Sequence, residues 1–283
     1  MLIIRKAAIN LPGQSIKVAA NQAWFEYLPA RVASPGGLLE RFDPPTVKDV
    51  AVTEFDSNGL GVEPNNLTAI NSLKVYRALR YGRNLDLIIT DQRSYRSADP
   101  FSDPSLDKLG EEFPGMFPEP EMQALDGGRS FNGGHPPAYI RFNDAQVPNP
   151  QRNAPPQTIL GAEQKAWFKD KLKHSTAVWK IWGNSQGALD YRADPQNLPA
   201  GLTKESWPAN TYAAASGGDY GTAWTERGEI YHLVRDAKIT GFGIVSGDRH
   251  SFWAGYATAE LPPGKFEPVG LSFVGGSLVS PGA

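Results

Sequence analysis

The chain of 283 residues contains no cysteine. Disulfide bonds, a cysteine nucleophile and a zinc–thiolate site are therefore excluded, and the redox compartment cannot be inferred from cysteine usage. Long hydrophobic runs are missing as well, since apolar stretches such as 242–245 fall far below the roughly 20 residues that span a bilayer. We therefore expect no transmembrane segment, and the N-terminus has no apolar stretch of signal-peptide length.

Neither sign of charge dominates, because 28 Lys and Arg residues oppose 30 Asp and Glu residues. Binding to nucleic acid or to an anionic membrane surface needs a basic excess on one face, so neither is an expected partner. Aromatic residues are plentiful, with 7 Trp, 10 Tyr and 13 Phe. They supply enough apolar surface for a core, and the length predicts a globular protein of one large domain, or one and a half.

Apolar runs of strand length alternate with segments of helical period. Helices are predicted at 15–28, 160–172 and 226–237, and strands at 74–79, 85–90, 177–182, 241–246 and 271–274. The segment 100–156 is rich in Gly and Pro, and we interpret it as a long loop insertion that could form one wall of a site. The alternation predicts an α/β fold in which polar side chains collect where the strands end.

The sharpest chemical signal follows the predicted strand 241–246. Gly247 permits a turn there, and Asp248 and His250 are two residues apart, so both side chains can point to a common position, within about 5 Å of each other. A carboxylate and an imidazole together suit a first-row metal ion. The alternative is structural: Asp248 caps a turn and His250 is an ordinary loop histidine.

Two further polar residues follow predicted strands. Asn184 could bind a metal ion or a phosphate oxygen, although Gly-Asn is also common turn chemistry. Arg93 carries a planar guanidinium that suits phosphate oxygens, although an Asp–Arg pair at a strand end, here with Asp91, often only holds a loop. Because ligand groups gather at the carboxyl ends of strands in α/β folds, we expect Asn184 and Arg93 at the same sheet edge as Asp248.

Four segments resemble, in order, the sequence motifs of PhoD-like alkaline phosphatases in the metallophosphoesterase superfamily. They are 85–96 (LDLIITDQRSYR), 159–168 (ILGAEQKAWF), 179–184 (WKIWGN) and 247–253 (GDRHSFW). The resemblance extends from the helix predicted at 15–28 to the end of the chain.

This resemblance implies a metallophosphoesterase-type four-layer αββα sandwich that hydrolyses phosphate esters, monoesters or diesters, with Fe3+ and Ca2+ as cofactors. It implies that Asp248 and His250 are metal ligands, and that Asn184 and Arg93 lie beside them as catalytic residues. The implied substrate is a small-molecule phosphate ester. The implied location is periplasmic or secreted, and the complete domain is expected to be a monomer.

The chain departs from the family pattern at its start. The earlier metal motifs of the family are a cysteine-bearing strand, a Gly-Asp-x-x-Tyr segment and an Asp-Asp-His-Glu segment, whereas residues 1–14 here contain no Asp or Glu. We therefore expect 1–283 to be a partial PhoD-like metallophosphatase domain that lacks its first part, supplies only part of the site and exposes a broad apolar sheet face. The alternatives are a non-catalytic fragment or degenerate homologue, and a phospholipase D-like phosphodiesterase.

Overall fold

The computed structural model describes residues 13–28, 30, 41–109, 116–142, 144–199, 201, 207, 209–215 and 218–277. Its helices are α1 (Gln14–Tyr27), α2 (Pro64–Ile70), α3 (Glu119–Gly127), α4 (Phe131–Gly134), α5 (Gly161–His174) and α6 (Trp224–Asp236). Its strands are β1 (Arg77–Tyr81), β2 (Leu85–Ile89), β3 (Met116–Pro118), β4 (Tyr139–Phe142), β5 (Ala145–Pro148), β6 (Trp179–Gly183), β7 (Arg192–Ala193), β8 (Ala213–Ala215), β9 (Phe242–Ser246), β10 (Trp253–Thr258) and β11 (Pro268–Val274).

The main sheet has six strands in the order β1-β2-β6-β9-β11-β10. Its four inner strands run parallel, while β1 and β10 pair antiparallel at the two edges. Helix α5 lies between β2 and β6 in the chain, and α6 lies between β6 and β9. The predicted α/β fold is confirmed. Because parallel strands end at the same edge of a sheet, the loops that follow β2, β6 and β9 meet there.

One face of the six-stranded sheet packs against α5 and α6. Successive strand residues point to opposite faces, and Ile88, Trp182 and Ile244 all point to the helical side, where they are buried. Phe168 of α5 and Ile230 of α6 belong to the same buried cluster. The ring centroids of Phe168 and Trp182 are 4.7 Å apart. This cluster therefore joins the sheet to its helical layer.

The opposite face of the sheet is apolar, and much of it is exposed in the part of the chain that the structure describes. One row of residues crosses all six strands in register: Leu79, Leu87, Ile181, Gly243, Leu271 and Tyr256. Close to this row, Trp179 is 53% exposed, Phe273 is 49% exposed and Val245 is 44% exposed. A contiguous exposed apolar surface marks an interaction site or a tendency to aggregate. Among the described residues this face is uncovered, and the incomplete domain to which the sequence analysis attributes such a face stays a prediction.

Two layers of the predicted four-layer sandwich are seen among the described residues. They are the six-stranded sheet and the helical layer of α5 and α6. The remaining sheets there are small, with the strand orders β3-β8-β7 and β4-β5. The mixed α/β architecture with a mostly parallel central sheet is therefore established, and the other two layers stay a prediction.

The segment 100–156 is not the continuous loop that its composition predicts. It contains β3, α3, α4, β4 and β5, and its side chains form a second buried cluster that includes Met122 and Ile140. Pro118 and Pro120 lie at the start of α3, where a residue without an N–H loses no helical hydrogen bond. In this segment, therefore, some of the prolines mark a helix start.

The set of predicted strands needs two corrections. Pairing in the region predicted as strand 74–79 begins later, at Arg77 opposite Ile89, because its register is set by the short turn at Gly82. Strand β10 escapes prediction because the alanine and glycine residues between Trp253 and Tyr256 interrupt its apolar alternation.

Candidate functional site

The carboxyl ends of β2, β6 and β9 are joined by backbone hydrogen bonds. The Thr90 N–H donates to the Gly183 carbonyl at 3.1 Å, and the Asn184 N–H donates to the Val245 carbonyl at 3.0 Å. The residues that follow these three strands therefore lie side by side at one edge of the sheet. Asn184 therefore lies at the same sheet edge as the turn that carries Asp248.

The loop after β2 is held by Asp91, and the side chain of Arg93 reaches across to the turn after β9. Asp91 is buried, and its Oδ1 accepts hydrogen bonds from the backbone N–H groups of Arg93 at 2.8 Å and Ser94 at 3.0 Å. The Arg93 side chain is 61% exposed, and its Nη2 lies 3.7 Å from Oδ1 of Asp248. The Asp91 carboxylate thus holds the loop, while the Arg93 guanidinium lies at the candidate site.

Two more basic groups lie close to this loop. Lys17 Nζ of α1 donates to Ser94 Oγ at 2.7 Å, and burial lowers the pKa of Lys17 against the opposing effect of Asp91. Burial also lowers the pKa of Arg96, with the opposing effect of Asp99. Sequence reasoning missed Lys17 because α1 is remote from the motif in the chain, and no local pattern marks it. Together with Arg93, these groups make the edge suitable for an anion such as phosphate.

The side-chain amide of Asn184 forms a hydrogen bond through its oxygen and, among the described residues, none through its nitrogen. Its Oδ1 accepts a hydrogen bond from the backbone N–H of Gln186 at 3.2 Å, which is turn chemistry. Its Nδ2 is buried and has no hydrogen-bond partner in the described structure. An unpaired buried donor costs about 1–3 kcal/mol, so this amide is a group that a bound oxygen would stabilise.

Asp248 and His250 both have left-handed backbone conformations, with φ of 78° and 54°. Such conformations cost non-glycine residues about 1–2 kcal/mol each, and they persist where the surrounding structure enforces them. The Asp248 side chain is 42% exposed, and His250 is half-buried. Their separation of about 5 Å or less stays a prediction.

Arg249, between these two residues, is the anchor of the turn. Its Nε donates to Asp219 Oδ2 at 2.7 Å, and its Nη2 donates to the Leu189 carbonyl. The guanidinium carbon lies 5.2 Å and 5.3 Å from the ring centroids of Tyr191 and Trp253. This anchor was not predictable, because an arginine in a polar turn is ordinarily exposed and Asp219 is distant in sequence.

The residues of the turn after β9 have the chemistry of metal ligands, but they are too few to complete a metal site. Asp248 and His250 offer one oxygen donor and one nitrogen donor, which suit a first-row metal ion. Across the described ranges, however, no group of three or more His, Asp and Glu side chains is placed to hold a metal ion. The turn after β9 can therefore supply two ligands of a larger set.

Comparison with known proteins places this chain in a family. The family model described as PhoD-like phosphatase matches residues 10–283. The chain belongs to the PhoD-like phosphatase family. As the name states, PhoD-like phosphatases are phosphoric ester hydrolases, in agreement with the enzyme class predicted from the sequence.

Two PhoD-like relatives show how much of the family this chain represents. Alkaline phosphatase D of Bacillus subtilis (strain 168) is 23% identical over 135 residues, which are 48% of this chain and 21% of that protein. A solved structure described as Structure of PhoD is 17% identical with a TM-score of 0.55, and the match covers 93% of this chain and 34% of that one. The likeness to that structure shows the fold alone. This PhoD-like chain spans about a third of the length of the solved relative.

Among the residues with described positions, no helix of this PhoD-like chain is both long enough and apolar enough to cross a membrane.

Proposed function

We propose that this PhoD-like chain takes part in the metal-dependent hydrolysis of phosphate esters. The observation that carries the proposal is the meeting of Arg93, Asn184 and Asp248 at the carboxyl edge of a mostly parallel sheet, in a chain of a phosphatase family. Open α/β sheets bind their ligands at this edge.

Asp248 and His250 are the proposed metal ligands, with Fe3+ and Ca2+ as the ions that the sequence resemblance implies. Carboxylate and imidazole donors suit iron, and carboxylate oxygen suits calcium. Since calcium takes six to eight ligands, these two residues form one part of a site, and the remaining ligands come from outside the described residues. When bound, the cations would polarise the ester and activate water for attack on phosphorus.

Arg93 and Asn184 are the proposed phosphate-binding groups. The Arg93 guanidinium is exposed, and one of its nitrogens is 3.7 Å from Asp248, so the other donors of its planar fork can reach a phosphate held beside that carboxylate. The unpaired Nδ2 of Asn184 offers a further donor at the same edge. Donors fixed in place before the reaction stabilise the negative charge that develops on the phosphate oxygens.

We also propose that a second sheet and a second helical layer complete the four-layer sandwich. The apolar row from Leu79 to Tyr256 is the surface on which another sheet would pack, at a distance of about 10 Å. The periplasmic or secreted location is proposed on the resemblance of the sequence.

The proposal is tested on the purified 283-residue chain with two readouts. The first is the binding of inorganic phosphate in the presence of Fe3+ and Ca2+. We expect saturable binding that Arg93→Ala weakens about tenfold, by the loss of charge-assisted hydrogen bonds, and that Arg129→Ala, on an exposed arginine elsewhere, leaves unchanged. Phosphate binding that is equally tight in the parent chain and in Arg93→Ala would contradict the assignment of a phosphate site to this edge.

The second readout is turnover of p-nitrophenyl phosphate and bis(p-nitrophenyl) phosphate. Because two ligands cannot hold a pair of metal ions about 3.5–4 Å apart, we expect little or no turnover by this chain alone. Robust turnover that Asp248→Asn abolishes would contradict the partial-site proposal while supporting hydrolase chemistry. Such turnover would also separate a monoesterase from a phospholipase D-like diesterase through the ratio of the two rates.

A further inference from the structure

Gln92 lies in the loop after β2, next to Arg93, and it is almost fully buried. The residue is 1% exposed, whereas the side chain of Arg93 is 61% exposed. A buried side-chain amide needs hydrogen-bond partners within the protein, because bulk water does not reach it. The partners of Gln92 come from the ends of two strands, β2 and β6, so this one side chain joins two segments of the candidate site.

The oxygen of the Gln92 amide holds the turn after β6. Oε1 accepts hydrogen bonds from the Ser185 backbone N–H at 3.1 Å and from the Ser185 hydroxyl at 2.8 Å. A backbone N–H can only donate, so the amide atom that faces Ser185 must be the oxygen. Ser185 follows Asn184 in the chain. The Gln92 oxygen therefore holds the turn that carries Asn184.

The nitrogen of the same amide is tied to the core of the sheet. Nε2 donates to the hydroxyl oxygen of Thr90, which also accepts a hydrogen bond from Trp182 Nε1 at 2.7 Å. An indole N–H is a donor only, so the direction of this chain of hydrogen bonds is set at both ends, by Trp182 and by Ser185. Thr90 and Trp182 are buried as well. The network therefore holds the Gln92 side chain in one orientation.

The other contacts near the site fix each segment separately. Asp91 Oδ1 accepts hydrogen bonds within its own loop, and the Asn184 N–H donates to the Val245 carbonyl of β9. Among the hydrogen bonds of the described residues, only those from Ser185 to Gln92 join the loop 91–97 to the turn 184–187. The separation of these two segments beyond the strand ends therefore depends on Gln92.

We propose that Gln92 is a positioning residue of the phosphate site. Arg93 adjoins Gln92 and Asn184 adjoins its partner Ser185, and both are proposed phosphate-binding groups, so this inference rests on the proposed function. Gln92 is buried and does not itself touch phosphate. It sets the separation of the Arg93 guanidinium and the Asn184 amide. Groups that are already in place when an anion arrives bind it more tightly, because binding does not have to order them.

The test measures the affinity of the complete 283-residue chain for inorganic phosphate by equilibrium dialysis, in the presence of Fe3+ and Ca2+. Gln92→Met keeps the length of the side chain and removes its polar atoms. Ser185→Ala, on an exposed residue, removes one of the two hydrogen bonds and should retain the fold. Ile140→Ala, in the second buried cluster, is the control for lost stability. Arg93→Ala is measured alone and together with Gln92→Met.

We expect Gln92→Met to weaken phosphate binding about tenfold, and Ser185→Ala about threefold because the backbone hydrogen bond remains. Ile140→Ala should lower the melting temperature at least as much as Gln92→Met and leave the phosphate affinity unchanged. Because Gln92 acts through Arg93, the double variant should bind more tightly than the product of the two single losses predicts. A role in stability alone would produce no such coupling.

The proposal is overturned if Gln92→Met and Ser185→Ala both bind phosphate as the parent chain does. It is also overturned if Ile140→Ala weakens binding as much as Gln92→Met, or if the losses from Gln92→Met and Arg93→Ala simply multiply. In these cases a loss of affinity in Arg93→Ala alone would still support the proposed phosphate site. Phosphate binding that is unchanged in Arg93→Ala would instead overturn that site, and this inference with it.

Discussion

Arg249 and Asp219 form a buried ion pair at the turn that carries the two proposed metal ligands. The Arg249 Nε to Asp219 Oδ2 distance is 2.7 Å, and the two side chains are 3% and 5% exposed. Because Asp248 and His250 flank Arg249 in the chain and both have positive φ, the conformation of this turn depends on where the guanidinium is held.

Replacement of Asp219 by Asn should therefore destabilise the fold and weaken metal binding together. Removal of one partner of a buried pair leaves an uncompensated charge, which costs about 3–5 kcal/mol. Urea unfolding measures the stability. The matched control is Asp236→Asn, which breaks an exposed Arg235–Asp236 pair of the same 2.7 Å length and should cost much less, because solvent screens that pair. Equal losses in the two variants would refute the anchoring role.

Gly187 should not tolerate a side chain, because the anchored Arg249 guanidinium lies beside it. A Cβ at Gly187 would lie 2.2 Å from Arg249 Nε, so Gly187→Ala must displace the guanidinium from Asp219. We expect a loss of about 1–3 kcal/mol in the free energy of unfolding, as for other overpacked sites. Gly13→Ala, where no atom of the described residues lies within 4 Å of the added Cβ, is the control in the same urea titration. A free energy of unfolding that is the same in Gly187→Ala and in the parent chain would show that the guanidinium can move without cost.

Asp126 should make stability fall as the pH rises from 4 to 7. Burial raises the pKa of Asp126 to about 7, although its Oδ2 accepts hydrogen bonds from the N–H and Oγ1 of Thr225. Between the unfolded and folded pKa values the native state binds the proton that the unfolded chain releases, so stability is lost on raising the pH.

The measurement for Asp126 is the difference in unfolding free energy between the parent chain and Asp126→Asn at pH 4, 5, 6 and 7. The parent chain should lose on the order of 2–4 kcal/mol more than the variant over this range. The comparison with Asn isolates Asp126 from Glu226, whose pKa burial also raises. A variant with the same pH dependence as the parent would remove Asp126 as the cause.

The open sheet face should cause self-association. Phe273 and Val245 lie opposite each other on that face and are large, exposed and apolar, so Val245→Lys with Phe273→Lys should lower the association state in sedimentation velocity. Ile16→Lys, on an exposed residue of α1, should leave it unchanged. A parent chain that sediments as a monomer at tens of micromolar would contradict this expectation.

The predictable part of this protein is the part with local periodicity. Apolar runs such as 85–90 and 241–246 indicate β2 and β9, and the rule that ligand groups gather at strand ends places Asn184, Arg93 and Asp248 at one edge. Each of these signals lies within a short segment of the chain, so it can be detected in a single sequence.

The part that could not be predicted depends on contacts between distant segments. The Arg249–Asp219 pair joins residues 30 positions apart, and Lys17 reaches Ser94 across 77 positions. Likewise, Glu226 of α6 accepts hydrogen bonds from the Ile159 and Leu160 N–H groups ahead of α5. No periodicity or spacing marks such partners, because the fold alone brings them together.

The most direct test of the metal-ligand proposal is the metal content of the chain after equilibrium dialysis against Fe3+ and Ca2+. Asp248→Asn and His250→Gln are compared with Asp170→Asn and His174→Gln, an exposed carboxylate–imidazole pair with a 2.8 Å contact on α5. We predict that both variants of the turn after β9 lose at least about tenfold in affinity for one of the ions, and that both α5 variants bind as the parent chain does. Metal binding that is unchanged in Asp248→Asn and His250→Gln would contradict the assignment.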